Sequence, residues 1–177
     1  MVIYPSSRGR HIYGIVLFIM LLISAFLSIF LLSLLEKQAY NDALSQYNNG
    51  QYADALEGFQ RLKNYKDSRS YCDLARSSLL YLEGLERLEV KDYLGALNIF
   101  LELEDFSIDE ESPSSHDLAL KAEYGYAEQL FESGEYETAL LHFEKLDDYK
   151  NSKLYVSRII SESADDYQKS VKYANAY

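Results

Sequence analysis

The chain is 177 residues long, is 14% aromatic with 17 tyrosines and no tryptophan, and carries a formal net charge of −11. That length holds about one ordinary domain plus an appendage, not two full cores. All 28 acidic residues and 15 of the 17 basic ones follow residue 35, a balance that repels phosphate backbones, excludes nucleic acid as a partner and argues against a polybasic membrane patch. The single cysteine, Cys72, excludes an internal disulfide and leaves packing to hold the domain.

The first predicted element is the run from Ile12 to Leu35, 24 residues without a charge. As a helix it is roughly 36 Å long, enough to cross a bilayer with some tilt. The run is longer than the apolar stretch of a cleaved leader, and Ser33, Leu34, Leu35 and Glu36 offer no small-x-small cleavage site, so an uncleaved signal anchor is the expectation. Arg8 and Arg10 flank it on one side and Lys37 on the other, which keeps the tail (1–11) in the cytoplasm and places the rest outside. Ser24 and Ser28 form a small-xxx-small pair, a weak hint of a transmembrane homodimer. No Pro or Gly interrupts Glu36 to Tyr47, and Ala39, Tyr40, Ala43, Leu44 and Tyr47 keep helical phase with the run. One unbroken helix is predicted from about Ile12 to Asn48.

Beyond it the chain repeats itself. Tyr52-Ala53-Asp54-Ala55-Leu56 aligns with Tyr93-Leu94-Gly95-Ala96-Leu97 and Tyr136-Glu137-Thr138-Ala139-Leu140, with leading tyrosines 41 and 43 residues apart. The phase carries on through Phe59, Phe100 and Phe143, then Leu62, Leu103 and Leu146, then Tyr65, Phe106 and Tyr149, while a small residue, Ala43, Gly84 or Ala127, stands nine positions before each tyrosine. Each copy reads as a short helix with one apolar stripe, preceded by a second helix whose stripe is Tyr71, Leu74, Ala75, Ser78, Leu82, Leu85 and Leu88. Asn49-Gly50 and Ser133-Gly134 supply the left-handed residue that ends the first helix of a pair. The fold class is therefore all-α: an N-terminal transmembrane helix (12–35), then a repeat domain (36–177) forming a short α-solenoid of about three helical hairpins (about 36–66, 67–107 and 112–150) with a C-terminal half-repeat or cap (151–177).

The octets NYKDSRSY from Asn64 and DYKNSKLY from Asp148 fall at equivalent junctions, where Asp67-Ser68 and Asn151-Ser152 are predicted to cap the next helix. In the middle junction Ser112 is the predicted cap, with Pro113 at the first helical position. Counting one period from Tyr136 reaches Tyr177, with Asn175 at the turn position; the polar stretch Ser161–Asp166 favours a cap over a further repeat in a longer array.

Small, glycine, tyrosine, alanine and phenylalanine at these offsets resemble the tetratricopeptide repeat, from Ala39 to about Ser152. Lys91 departs at the turn glycine, and the period of 41 exceeds that family's 34. With the N-terminal anchor, the chain also resembles membrane-tethered repeat proteins of Gram-positive bacteria. The resemblance implies a protein or peptide partner held in the groove lined by the first helices. Matching positions are Tyr40, Tyr81 and Tyr124; Leu44, Leu85 and Glu128; Tyr47, Leu88 and Phe131; and Asn48, Glu89 and Glu132. Rigid aromatic faces suit such recognition, and the glutamates favour a basic or neutral segment. Two readings of the tyrosine column stand open: ligand contact, or packing of repeat on repeat.

No nucleophile, phosphate-loop or metal motif is present. His11, His116 and His142 lack ligand partners at helical spacing, Cys72 reads as a packing thiol, and the acidic run Glu102–Glu111 lacks the loop glycine and oxygen spacing of a calcium loop. The expectation is a membrane-anchored, non-enzymatic binding scaffold without cofactors. The alternatives are an accessory or chaperone-like subunit of an export or cell-envelope machine, and the anchoring and regulatory part of a longer envelope enzyme.

Overall fold

The computed structural model describes residues 7–174, with side chains described for 13–163. Arg8, Arg10, His11 and the rest of the expected tail, like Asn175 and Tyr177, lie outside the residues whose side chains are described. The described residues form seven helices and no strand: α1 (Ser7–Asn48), α2 (Tyr52–Leu62), α3 (Ser68–Glu89), α4 (Tyr93–Glu102), α5 (Ser115–Glu132), α6 (Tyr136–Leu146) and α7 (Ser152–Ala174). They make two compact units, one up to Ala75 and one from Arg76 onward.

The first unit begins with α1, 42 residues without a break. Every side chain from Tyr13 to Leu35 is exposed, so the helix offers no polar face along the part that is long and apolar enough to span a membrane. The three serines between Tyr13 and Leu35 satisfy themselves: Ser24 donates to the Leu21 carbonyl (2.9 Å), Ser28 to that of Ser24 (2.8 Å) and Ser33 to that of Phe30 (2.8 Å). Hydroxyls bonded within their own helix remove most of the polar penalty of lipid and weaken the case for a serine-driven dimer. Five residues past Leu35 the same helix enters a core, where Tyr40, Ala43, Ala55 and Phe59 are buried together between α1 and α2.

In the second unit α3 and α4 pair around Tyr81, Leu88, Ala96, Leu97 and Phe100, and α5 closes that core with Leu118, Ala119 and Ala122. The pair α5 and α6 is built around Tyr124, Ala127, Ala139 and Phe143, covered on the far side by Ile159 and Tyr155 of α7. Small residues set the spacing: a β-carbon at Gly84 falls 2.6 Å from the Phe100 ring, and one at Gly125 falls 2.7 Å from the Tyr93 ring. The first helices of these pairs, 22 and 18 residues, are about twice the length of the second, 10 and 11.

The three turns inside the hairpins share one geometry. Gly50 (φ 76°), Lys91 (φ 60°) and Gly134 (φ 84°) are left-handed, and the next amide reaches back five residues: Gln51 to the Gln46 carbonyl, Asp92 to that of Arg87 and Glu135 to that of Leu130, each at 2.9 Å. Lys91 therefore holds a glycine conformation at a cost of roughly 1–2 kcal/mol. Lys91→Gly is expected to stabilise the second unit by about 1 kcal/mol, net of the extra freedom glycine gives the unfolded chain, which thermal unfolding would register as a rise in Tm.

Three expectations are corrected. The stripe of α3 is not Leu74 and Leu82, which are 41% and 43% exposed, but Ala75, Ser78, Tyr81 and Leu88. The cap of α5 is Ser114, whose hydroxyl accepts from the Asp117 amide (3.2 Å); Ser112 and Pro113 precede the helix. Ser68 and Ser152 act differently from caps as well. Both are fully buried and donate their hydroxyls backward, to the carbonyls of Tyr65 (2.6 Å) and Tyr149 (2.7 Å), which fixes the bend between helices instead of satisfying a helix amide.

Candidate functional site

The residues proposed from the sequence to line a groove fall into two classes. Tyr40, Tyr81 and Tyr124 are 6%, 1% and 5% exposed, and each sets a ring edge on the phenylalanine of its own hairpin: Phe59 at 5.8 Å, Phe100 at 6.0 Å and Phe143 at 5.8 Å. Buried rings of this kind present no face to a ligand, so the column belongs to the cores and the packing reading describes it. The hydroxyls point to the following junction. Tyr40 donates to the Asp67 carboxylate, Tyr81 donates to the Pro113 carbonyl (2.6 Å), and Tyr124 lies against Glu128 and the Asn151 backbone.

The recurrent octets now have a residue-by-residue account. Tyr65 and Tyr149 lie edge-on to Tyr40 and Tyr124, each at 5.9 Å. Lys66 and Lys150 are left-handed (φ 48° and 50°), which swings their ammonium groups over the same two rings at 4.1 and 4.5 Å. Tyr71 and Tyr155, the last residue of each octet, stack on Phe59 and Phe143 at 4.9 and 4.4 Å. In the middle junction Leu118 takes the place of the stacking tyrosine, and Ser115 takes that of the buried serine, donating to the Glu104 carbonyl (2.8 Å) and accepting from the Phe106 amide (2.9 Å). The lysines were missed as packing elements in the sequence, although their recurrence in both octets was the signal.

These environments hold the phenols protonated. The Asp67 carboxylate, aided by burial, pushes Tyr40 up to about 12. Burial, aided by the Glu128 carboxylate, pushes Tyr124 to about 12 as well. A group raised in the folded state contributes stability that is complete below its ordinary value near 10 and is lost as pH rises through 10 toward 12. Alkaline unfolding is therefore expected to begin above pH 10, with two phenols ionising near pH 12 in an absorbance titration; Tyr40→Phe and Tyr124→Phe should each remove one of them.

The second class of predicted residues is more open. In the first unit Leu44 and Tyr47 are half-buried, with the Tyr47 ring edge-on to Tyr52 (5.3 Å) and Tyr71 (5.5 Å), and Asn48 is exposed. In the second unit Leu85 is half-buried, Leu88 is buried and Glu89 is exposed. There α5 and α7 form a ledge from Glu128, Phe131 and Glu132 on one helix and Tyr155 and Arg158 on the other. Tyr155 donates to Glu128 (3.2 Å), its ring lies edge-on to Phe131 (5.1 Å), and the Arg158 guanidinium sits 4.9 Å over the Phe131 ring while bonding Glu162 (3.0 Å). An exposed glutamate beside a half-covered aromatic face suits a basic or apolar segment, held by charge and stacking without covalent chemistry.

Of the two described histidines, one is engaged in packing and the other borders an open depression. His142 Nδ1 lies 3.1 Å from the Glu123 carboxylate, with its ring edge-on to Tyr126 at 5.0 Å. His116 borders a shallow hollow of about 480 Å³ over Phe100 and Ala119, shared with Glu104 and Asp105. Among the described residues no three His, Cys, Asp or Glu side chains converge as a metal site would require. Comparison with family models, with curated proteins and with solved structures finds no match to this chain. The functional reading therefore rests on geometry and on the sequence pattern.

Proposed function

We propose that the chain is a single-pass membrane protein that displays a short array of helical hairpins outside the cytoplasm and acts by binding a protein or peptide. The observation that carries this reading is the continuity of α1: one helix bears an exposed apolar stretch and, within two turns, the buried Tyr40 and Ala43 of a folded hairpin. A helix with no hinge mounts the first hairpin at a fixed height above the bilayer. The resemblance to tetratricopeptide repeats supports a binding role. The ledge of Glu128, Phe131, Glu132 and Tyr155 is the surface we assign to the partner, a basic or neutral segment. The same fixed mounting favours a partner that is itself at the membrane, as in an accessory or chaperone-like subunit of an export or envelope machine.

A photoreactive residue at the exposed Glu132 tests the binding face in intact membranes. Cross-links to a second polypeptide are expected; cross-links only within the chain or to lipid contradict the assignment. Protease added to whole cells is expected to cut the hairpin region, whereas cutting only after lysis reverses the orientation drawn from Arg8 and Arg10.

A further inference from the structure

The acidic balance of the whole chain conceals a local reversal. From Arg61 to Arg69, the junction between α2 and α3, the sequence holds four basic residues and one acidic one. The equivalent stretch from Lys145 to Lys153 holds three basic and two acidic, and that from Glu102 to His116 holds six acidic and neither lysine nor arginine. Equivalent bends that differ this much in charge face different surroundings, and geometry within the first unit says what surrounds this one.

Helix α2 runs antiparallel to α1, so its last turn lies nearest the apolar stretch. A β-carbon on Gly58 falls 2.8 Å from that of Ala43, Arg61 shares a depression with Ala39, and Tyr40 bonds Asp67. The junction therefore stands level with Ala39 and Tyr40, about 6–8 Å along α1 beyond Leu35 at 1.5 Å per residue. That is the depth of a headgroup layer, roughly 5–8 Å on each side of the hydrocarbon. Lys37 lies one turn below Tyr40 on the face that meets the junction. Lys37, Lys63, Lys66 and Arg69 are all exposed there. Of the nearby carboxylates, Glu57 is paired with Arg61, whereas Asp67 keeps its charge while accepting the Tyr40 hydroxyl and Asp42 lines the depression beside Ala39, so Glu36, Asp42 and Asp67 stand against the four cations.

We propose that the α2–α3 junction, with Lys37, is a docking surface for anionic phospholipid headgroups, held in the headgroup layer by its rigid attachment to α1. The inference rests on α1 crossing the bilayer. It reverses the expectation drawn from total charge, because headgroups sense only the charges within about a Debye length of them. Lys66 already lies over the Tyr40 ring, so Lys37, Lys63 and Arg69 are the residues free to turn to lipid.

The test uses the full chain in vesicles of phosphatidylcholine with 30% phosphatidylglycerol, and spin-labelled versions of both lipids to read which one the protein immobilises. At low salt the protein is expected to prefer phosphatidylglycerol by about threefold or more, the scale set by a few basic residues at an anionic surface. The preference should shrink in 0.5 M NaCl. In the combined variant Lys37→Gln, Lys63→Asn and Arg69→Gln it should fall to the residue left by Arg8 and Arg10 on the opposite flank. Asparagine is chosen at 63 because that position has φ 53°, and unchanged helicity by circular dichroism verifies that the variant is folded. An unaltered preference in a folded variant, or none in the unmodified protein, overturns the proposal while α1 remains in the bilayer. Release of the chain from vesicles by alkaline carbonate overturns the anchor itself and this inference with it.

Discussion

Phe143→Ala is expected to lower the stability of the unit from Arg76 onward by about 3–5 kcal/mol, the cost of emptying a buried aromatic site. The phenylalanine is fully buried and joins three helices: its ring stacks on Tyr155 of α7 at 4.4 Å and receives the edge of Tyr124 of α5 at 5.8 Å. Removing it leaves a cavity lined by rings that cannot collapse, since Tyr155 is held by Glu128 and Tyr124 by the junction at Asn151. Domains of this size are stable by about 5–15 kcal/mol. The substitution should therefore lower Tm by on the order of 15 °C or more in a thermal scan, and Phe143→Leu by much less. A loss below about 1 kcal/mol would mean that the aromatic cluster does not hold α6 and α7 together.

The second large effect lies between the apolar stretch of α1 and the first hairpin. Gln38→Pro removes the amide that bonds the Leu34 carbonyl and drives the proline ring into that carbonyl, which costs about 3 kcal/mol in a helix interior. Gln38 is exposed, so Gln38→Ala should stay within roughly half a kcal/mol of the unmodified protein. Thermal unfolding of the chain in lipid nanodiscs should show the first unit destabilised by proline alone, with the second unit unaltered. Equal behaviour of the two variants would mean that α1 is already broken near Gln38.

The repeat was legible because it is written in side chains that carry the packing. The columns Ala55/Ala96/Ala139 and Phe59/Phe100/Phe143 are buried in every copy, and the turn positions Gly50 and Gly134 are left-handed as their residue type implies. The end of α1 at Asn48 followed from helical phase and the absence of Pro and Gly. The first-helix stripe was less legible. From Ser78 both Tyr81 and Leu82 lie on the helical continuation, at i+3 and i+4, and apolar character alone favours the leucine. The tyrosine took the core because its hydroxyl finds an acceptor in the Pro113 carbonyl, a contact 32 residues away that no local pattern contains. Tyr40 and Tyr124 are likewise buried in their hairpins, whereas Glu128 and Phe131 stayed at a surface that α7 partly covers. The serines of the octets were read as caps by residue type; their burial makes them donors to the preceding turn.

The central claim, that a bilayer-spanning helix enters the first hairpin without a hinge, is tested most directly by hydrogen exchange of the full chain in lipid nanodiscs across residues 33–48. The account predicts one protected stretch, with the amides of Glu36 to Ala39 exchanging as slowly as those of Tyr40 to Ala43 in the hairpin core. Rapid exchange confined to residues 36–39, between protected segments on either side, would contradict it.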